Sequence, residues 1–226
     1  AGYALVGWYR EADCTTNWDF AHDTVREDIT LYAKWVPEQD AAGCEILEAR
    51  EMTADGLVLS RKVSNATEHL ALSEYLTVSP WASWRVTRDL AGSDEIASGT
   101  VDLAVGDNTY YILVTSGNGS NKRQYTVNIR RRPVYDVTYV FGNGENAAVE
   151  RVEEDSFAAA KETARTGYTF LAWQRDGIDF AFETTAIEAD TTLTAAWKAN
   201  TYTVTPDAKG GSATEAQTLT YDAAYT

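Results

Sequence analysis

The 226-residue chain is poor in the residues that do most catalytic and metal chemistry. It has two histidines, two cysteines and one methionine, so a His-based triad or a His/Cys metal cluster has little to draw on. Cys14 and Cys44 fall in different segments. They leave two readings open, a disulfide tying those segments together or two unpaired thiols, and they are too sparse for a zinc site. No apolar run approaches the roughly 20 residues that span a bilayer. No signal peptide is recognisable and the chain opens without methionine, as expected of a piece of something longer. Basic residues are in deficit, 19 against 34 acidic, and the net charge of −15 disfavours a nucleic-acid or anionic-membrane surface.

Against these shortages stand thirteen tyrosines and seven tryptophans with only four prolines, a composition suited to half-buried strands. The chain also repeats itself. Gly2-Tyr3-Ala4-Leu5-Val6-Gly7-Trp8-Tyr9 returns as Gly167-Tyr168-Thr169-Phe170-Leu171-Ala172-Trp173-Gln174. Asp28-Ile29-Thr30-Leu31-Tyr32-Ala33-Lys34-Trp35 returns as Asp190-Thr191-Thr192-Leu193-Thr194-Ala195-Ala196-Trp197. Two phrases in the same order and at nearly the same spacing mark an array of small modules, which favours a scaffold or binder over an enzyme.

Four segments follow: 1–37 with the second half of a repeat, 38–133 of different texture, 134–199 with a complete repeat, and 200–226 with a first half. Pro37-Glu38-Gln39-Asp40 marks the first boundary. Segment 38–133 shows seven short β-rich runs (Cys44 to Met52, Leu57 to Val63, Leu70 to Val78, Trp84 to Arg88, Thr100 to Val105, Tyr110 to Thr115, Tyr125 to Arg130). Turns such as Asp55-Gly56 and Gly117-Asn118-Gly119 separate them, the pattern of a β-sandwich. The fold class expected is all-β, with helix confined to a turn or two near Ser156 to Ala164, where Ser156 can cap an alanine-rich stretch.

The repeat resembles the Listeria–Bacteroides repeat, or internalin-type B repeat, at Gly2, Tyr3, Gly7, Trp8, Leu31, Tyr32, Ala33 and Trp35. It does so again at Gly167, Tyr168, Phe170, Trp173, Leu193, Ala195 and Trp197, departing at Ala172 and Thr194. The resemblance implies small β-grasp-like modules that serve as spacers and weak contacts to host or matrix components. Segment 38–133 resembles a cadherin-like β-sandwich through Val101 to Asn108, Ile112 to Val114 and Tyr125 to Arg130. Together they imply tandem β-grasp-like repeats around a central sandwich in a Gram-positive-type bacterial surface protein, extracellular and either cell-wall-attached or secreted.

No catalytic, cofactor or metal site is expected. Glu150, Glu153, Glu154 and Asp155 read as a solvated edge that discourages aggregation, and Arg130-Arg131-Arg132 as a solvated linker with phosphate binding as the alternative. His22 is expected to be exposed. Calcium is the best metal option, on weak support from Asp102, Asp107 and Asn108. Trp8, Trp35, Trp173 and Trp197 are expected in cores. Trp81 and Trp84 flank a turn, have no repeated counterpart, and are the choice for a ligand contact with a host or matrix protein or glycan. The function expected is a non-catalytic stalk or spacer with adhesive potential; the alternative is a carbohydrate- or protein-binding module attached to a secreted enzyme. The two half repeats can also complete one another head to tail between molecules, the alternative being a cut through a longer ordered chain.

Overall fold

A computed structural model describes residues 2–20, 22–38, 40–212 and 214–224; Gln39, in the first boundary, lies outside them. The chain forms two compact units, Ala1–Arg132 and Pro133–Thr226. The described residues hold strands, turns and a single 3-10 turn, with no α-helix.

The first unit opens with β1 (Tyr3–Tyr9) paired antiparallel to β2 (Tyr32–Pro37). Then follow β3 (Ile46–Ala49), β4 (Thr53–Asp55), β5 (Val58–Val63), β6 (His69–Ala71), β7 (Leu76–Val78), β8 (Ser83–Thr87), β9 (Thr100–Asp102), β10 (Gly106–Thr115) and β11 (Lys122–Arg131). A five-stranded sheet of order β4-β5-β11-β10-β8 faces two short pairs, β3-β7 and β6-β9. Alternation decides the core face, because successive side chains point to opposite sides of a strand. Tyr110, Ile112 and Val114 of β10 and Tyr125, Val127 and Ile129 of β11 turn inward and are buried together with Leu59, Val86 and Val101. The Ile46 N–H donates to Tyr125 Oη at 3.0 Å, bonding β3 to β11 across the core.

Two of the expected strands are broken. The run from Cys44 turns at Arg50-Glu51, with Glu51 in the left-handed region (φ 57), before β4. The run from Leu70 is interrupted by the 3-10 turn Leu72–Glu74, so β6 and β7 pair in different sheets. Leu70, Leu72 and Leu76 are all buried.

The second unit contains β12 (Val134–Val140), β13 (Ala148–Glu153), β14 (Tyr168–Arg175), β15 (Ile178–Asp179), β16 (Thr191–Ala199), β17 (Thr201–Val204) and β18 (Gln217–Thr220). The first five form one sheet of order β13-β12-β16-β14-β15, with β12 and β16 parallel at its centre. Second, first, fifth, third, fourth with a parallel central pair is the β-grasp order. Val137, Tyr139, Phe141, Val152, Trp173, Ile187 and Leu193 fill its core.

The short helix that competes over Ser156 to Ala164 does not form, and the core explains why. Tyr139 Oη donates to the Ala159 carbonyl at 2.7 Å, and Trp173 Nε1 to the Lys161 carbonyl at 2.9 Å. Ser156 O and Ala164 O accept from the Ile187 N–H and Asn143 Nδ2. A buried Tyr or Trp donor needs an acceptor, and a helix here would turn these carbonyls back onto its own backbone.

Candidate functional site: the joints between modules and an open aromatic face

The two copies of the second half-repeat share one hydrogen-bonding scheme. In β1–β2 the register slips between Leu5 and Gly7, and in β14–β16 between Phe170 and Ala172, the same place in the motif. Trp18 N–H donates to Trp8 O as Phe180 N–H does to Trp173 O. Glu38 N–H donates to Gly2 O as Asn200 N–H does to Gly167 O. That last bond closes each half and starts whatever follows it.

After Glu38 comes the sandwich. Asp40 and Ala41 N–H groups donate to Pro37 O, and Ala41 is fully buried. The loop between β10 and β11 clasps this linker: Asn118 N–H donates to Ala41 O, Asn118 Nδ2 to Glu38 O and Asn121 Nδ2 to Ala42 O. The Lys34 ammonium of β2 lies 5.2 Å from the Tyr9 ring centre and 4.4 Å from that of Trp81, within cation–π range. Trp81 has φ 67, rare for a large side chain. Gly117 permits this, since a Cβ there would lie 2.7 Å from the Trp81 Cβ. Backbone bonds and a cation held between two rings thus make a structured joint.

After Asn200 comes the β17–β18 hairpin. Tyr221 N–H donates to Asn200 O, as Glu154 N–H does to Pro133 O one copy earlier. The Tyr221 ring packs on Gly167 and meets Tyr168 edge-on at 5.7 Å. Gly167 has φ +79, and a Cβ there would lie 2.2 Å from the Tyr221 ring, so this joint excludes any side chain at 167.

The repeated tryptophans part company. Trp173 is 3% exposed and Trp197, half-buried, donates from Nε1 to Phe141 O at 2.7 Å. Their counterparts Trp8 and Trp35 are 38% and 57% exposed, so the core expectation for those two is corrected. In the complete repeat, Phe141 and the rest of the β12–β13 hairpin cover this face; on β1–β2 it is open, joined by exposed Tyr3, Phe20 and Val25.

The other candidates do not converge. Trp84 sits on β8, half-buried against the sandwich core and near Gly99, whereas Trp81 belongs to the Lys34 joint. Asp102 pairs with His69 at 2.8 Å and Asp107 with Arg130 at 2.9 Å, while the Asn108 side chain bonds backbone groups of Ala104, Gly106 and Ile129. Among the described residues no group of three or more His, Cys, Asp or Glu is placed to hold a metal. His22 is exposed, and the Asp19 carboxylate 2.6 Å away raises its pKa. Cys14 and Cys44 are both free thiols, Cys44 buried in the sandwich core.

Two charge readings are corrected. Arg131 lies within β11 and is a clamp, not a linker: Nε donates to Asn65 O at 2.7 Å, Nη1 to Leu103 O at 2.9 Å, and Nη2 meets Glu68 at 3.2 Å. Glu150 and Glu154 are not a solvated edge. Glu154 is buried, and Glu150 lies 3.0 Å from Tyr139 Oη, sharing its single proton with the Ala159 carbonyl, and pairs with Lys161 at 3.1 Å. Burial pushes the Glu150 pKa up, but bonds from Lys161, Tyr139 and the Ala159 N–H outweigh it and hold it below the usual value.

The joint residues Lys34, Asn118 and Tyr221 were not singled out by sequence. Lys34 stands inside the repeated phrase, and Asn118 reads as ordinary turn chemistry. The one available signal is Tyr221, a large aromatic just past a strand, where the earlier copy has Glu154.

Residues 1–34 and 135–196 match the Listeria-Bacteroides repeat domain, and residues 61–132 match the cadherin-like beta sandwich domain. The chain is 25% identical, over its full length, to a protein of Evansella cellulosilytica provisionally named a membrane protein, of which it covers 31%. A second protein of that organism, provisionally named a Gly-rich membrane protein, is 25% identical over 93% of the chain and 22% of its own length. The chain thus spans less than a third of the curated relatives it matches. Among the described residues no helix is long and apolar enough to cross a membrane.

Proposed function

We propose that this chain, in which Listeria–Bacteroides repeat segments flank a cadherin-like β-sandwich, is a non-catalytic stalk or spacer of a multi-module bacterial surface protein. Its setting is extracellular, on a cell wall or secreted, and its modules are the segments 1–37, 38–133, 134–199 and 200–226. The observation that carries the reading is the ordered joint. The bonds from Asn118 and Asn121 to the linker, and the Lys34 ammonium between two rings, hold one module against the next. A spacer needs such joints, because a flexible linker lets its modules collapse toward one another.

A second reading gives the segment adhesive capacity through Trp81 and Trp84, toward a host or matrix protein or a glycan. Its support is the left-handed backbone of Trp81, 36% exposed, since rare backbone conformations gather at functional sites. Presenting the chain to immobilised glycans and matrix proteins separates the two. The spacer reading expects no saturable retention that depends on these rings. Retention lost with Trp81→Ala and with Trp84→Ala, each keeping the parent circular dichroism, would establish the adhesive one.

A further inference from the structure

The two copies of the second half-repeat share a polar cavity as well as a hydrogen-bonding scheme. In the complete repeat a cavity of about 510 Å³ is lined by Arg175, Thr184, Thr185, Glu188 and Thr191 among others. In the first copy a cavity of about 370 Å³ is lined by the residues at the same motif positions, Arg10, His22, Asp23, Arg26 and Ile29. Each guanidinium lies over a matched ring, Arg10 at 4.8 Å from Trp18 and Arg175 at 5.5 Å from Phe180, within cation–π range. The same turn carries the lining residues in both. His22 and Asp23 N–H groups donate to Asp19 O at 3.3 and 2.8 Å, as Thr184 and Thr185 N–H groups do to Ala181 O at 3.3 and 2.9 Å.

The copies differ in one group. In the first, the Asp23 carboxylate accepts from Arg10 Nη2 with one oxygen and from the Asp19 N–H with the other, each at 2.9 Å. In the complete repeat Thr185 stands in its place. The equivalent donors, the Arg175 guanidinium and the Ala181 N–H, have no hydrogen-bond partner among the described residues. The first copy carries within its own chain the carboxylate that the complete repeat lacks.

We propose that the Arg175 cavity of the complete repeat binds a carboxylated sugar. Its carboxylate takes the place that Asp23 holds in the first copy, between guanidinium and turn N–H, where the bonds are charge-assisted. The rest of the cavity suits hydroxyls better than further charge. Thr184 and Thr185 hydroxyls both donate and accept, and Glu188 accepts hydroxyl hydrogens while repelling a second anionic group. The volume is that of a small-ligand pocket. The net charge of −15 likewise disfavours a dense polyanion. This site lies in the other unit from Trp81 and Trp84 and does not depend on them.

Titration of the intact chain with galacturonate, followed by backbone amide shifts, tests this, with galactose and acetate as the separate parts of the ligand. Galacturonate should shift the Ala181, Thr184 and Thr185 amides saturably. Galactose and acetate should each bind about tenfold or more weakly, and Arg175→Gln should weaken galacturonate by a similar factor. Thr185→Asp, which gives this copy the internal carboxylate of the first, should abolish the response. Asp23→Thr should do the reverse and add saturable shifts at Asp19 and His22. These groups sit in exposed or half-buried connections, so the parent melting transition should change little. A parent without saturable shifts overturns the proposal, as does binding that survives Arg175→Gln or Thr185→Asp undiminished. A silent Asp23→Thr variant overturns it by showing that Asp23 does not stand in for a ligand. Acetate or galactose binding as tightly as galacturonate overturns the assignment to a carboxylated sugar.

Discussion

Trp173→Ala should destabilise the Pro133–Thr226 unit by about 3–5 kcal/mol, the usual cost of truncating a large core aromatic, whereas Trp8→Ala at the matched position, 38% exposed, should cost clearly less. The difference arises from packing, since the two residues occupy the same place in the same motif. Trp173 meets Tyr139, Phe141 and Phe170 edge-on at ring distances of 5.1, 5.4 and 5.8 Å, and its Nε1 bonds Lys161 O. Alanine there leaves a cavity and an unpaired carbonyl at once. Trp8 is 38% exposed on the open face, so its removal takes away less buried surface than loss of Trp173, which is 3% exposed. In a domain of this size the Trp173 change should lower Tm by at least roughly 12 °C. Differential scanning calorimetry of both variants reads the comparison; equal losses would contradict the burial described.

The next largest effect is expected at Arg131. Its guanidinium bonds Asn65 O, Leu103 O and Glu68 with a side chain 14% exposed, so Arg131→Ala removes the donor to two carbonyls and the partner of a carboxylate. The cost should be about 2–4 kcal/mol in sandwich stability, as for breaking a largely buried charged network. Neighbouring Arg130 meets Asp107, whose side chain is 79% exposed. Arg130→Ala should therefore cost no more than about 1 kcal/mol, as surface pairs do. Urea unfolding of the Ala1–Arg132 unit distinguishes them. Indistinguishable midpoints for the two variants would return the arginine run to the role of a solvated linker.

The features legible in the sequence were those written into local alternation. The β10–β11 hairpin is visible as Tyr110-Tyr111-Ile112-Leu113-Val114 against Tyr125-Thr126-Val127-Asn128-Ile129, because one face is buried and the other wet. The repeat is visible because two copies preserve the same core positions. What stayed hidden depends on partners far away in the chain. Ser156 to Ala164 carries helix-forming residues, but its carbonyls are claimed by Tyr139 and Trp173, and no local window shows that. Arg131 looks like its two neighbours until Asn65 and Leu103 come within reach. Likewise, Glu150 sits in an acidic stretch, yet a buried tyrosine hydroxyl and Lys161 turn it inward. At the candidate site, Trp81 stood out as an isolated aromatic, while its contacts with Lys34 and Gly117 span 47 and 36 residues of chain.

Amide hydrogen exchange at the joint tests the spacer reading most directly. Glu38 and Asn118 N–H groups donate to Gly2 O at 3.0 Å and Ala41 O at 3.1 Å, so in the intact chain they should exchange as slowly as amides of β10 and β11 at the sandwich end of the joint. Asn118→Ala removes the side-chain bond to Glu38 O and should accelerate exchange at Glu38 about tenfold or more, the loss of a net bond worth roughly 1.4 kcal/mol, with β10 and β11 unchanged. Exchange at Glu38 and Asn118 at the rate of an unstructured linker in the parent protein would contradict an ordered joint and the spacer built on it.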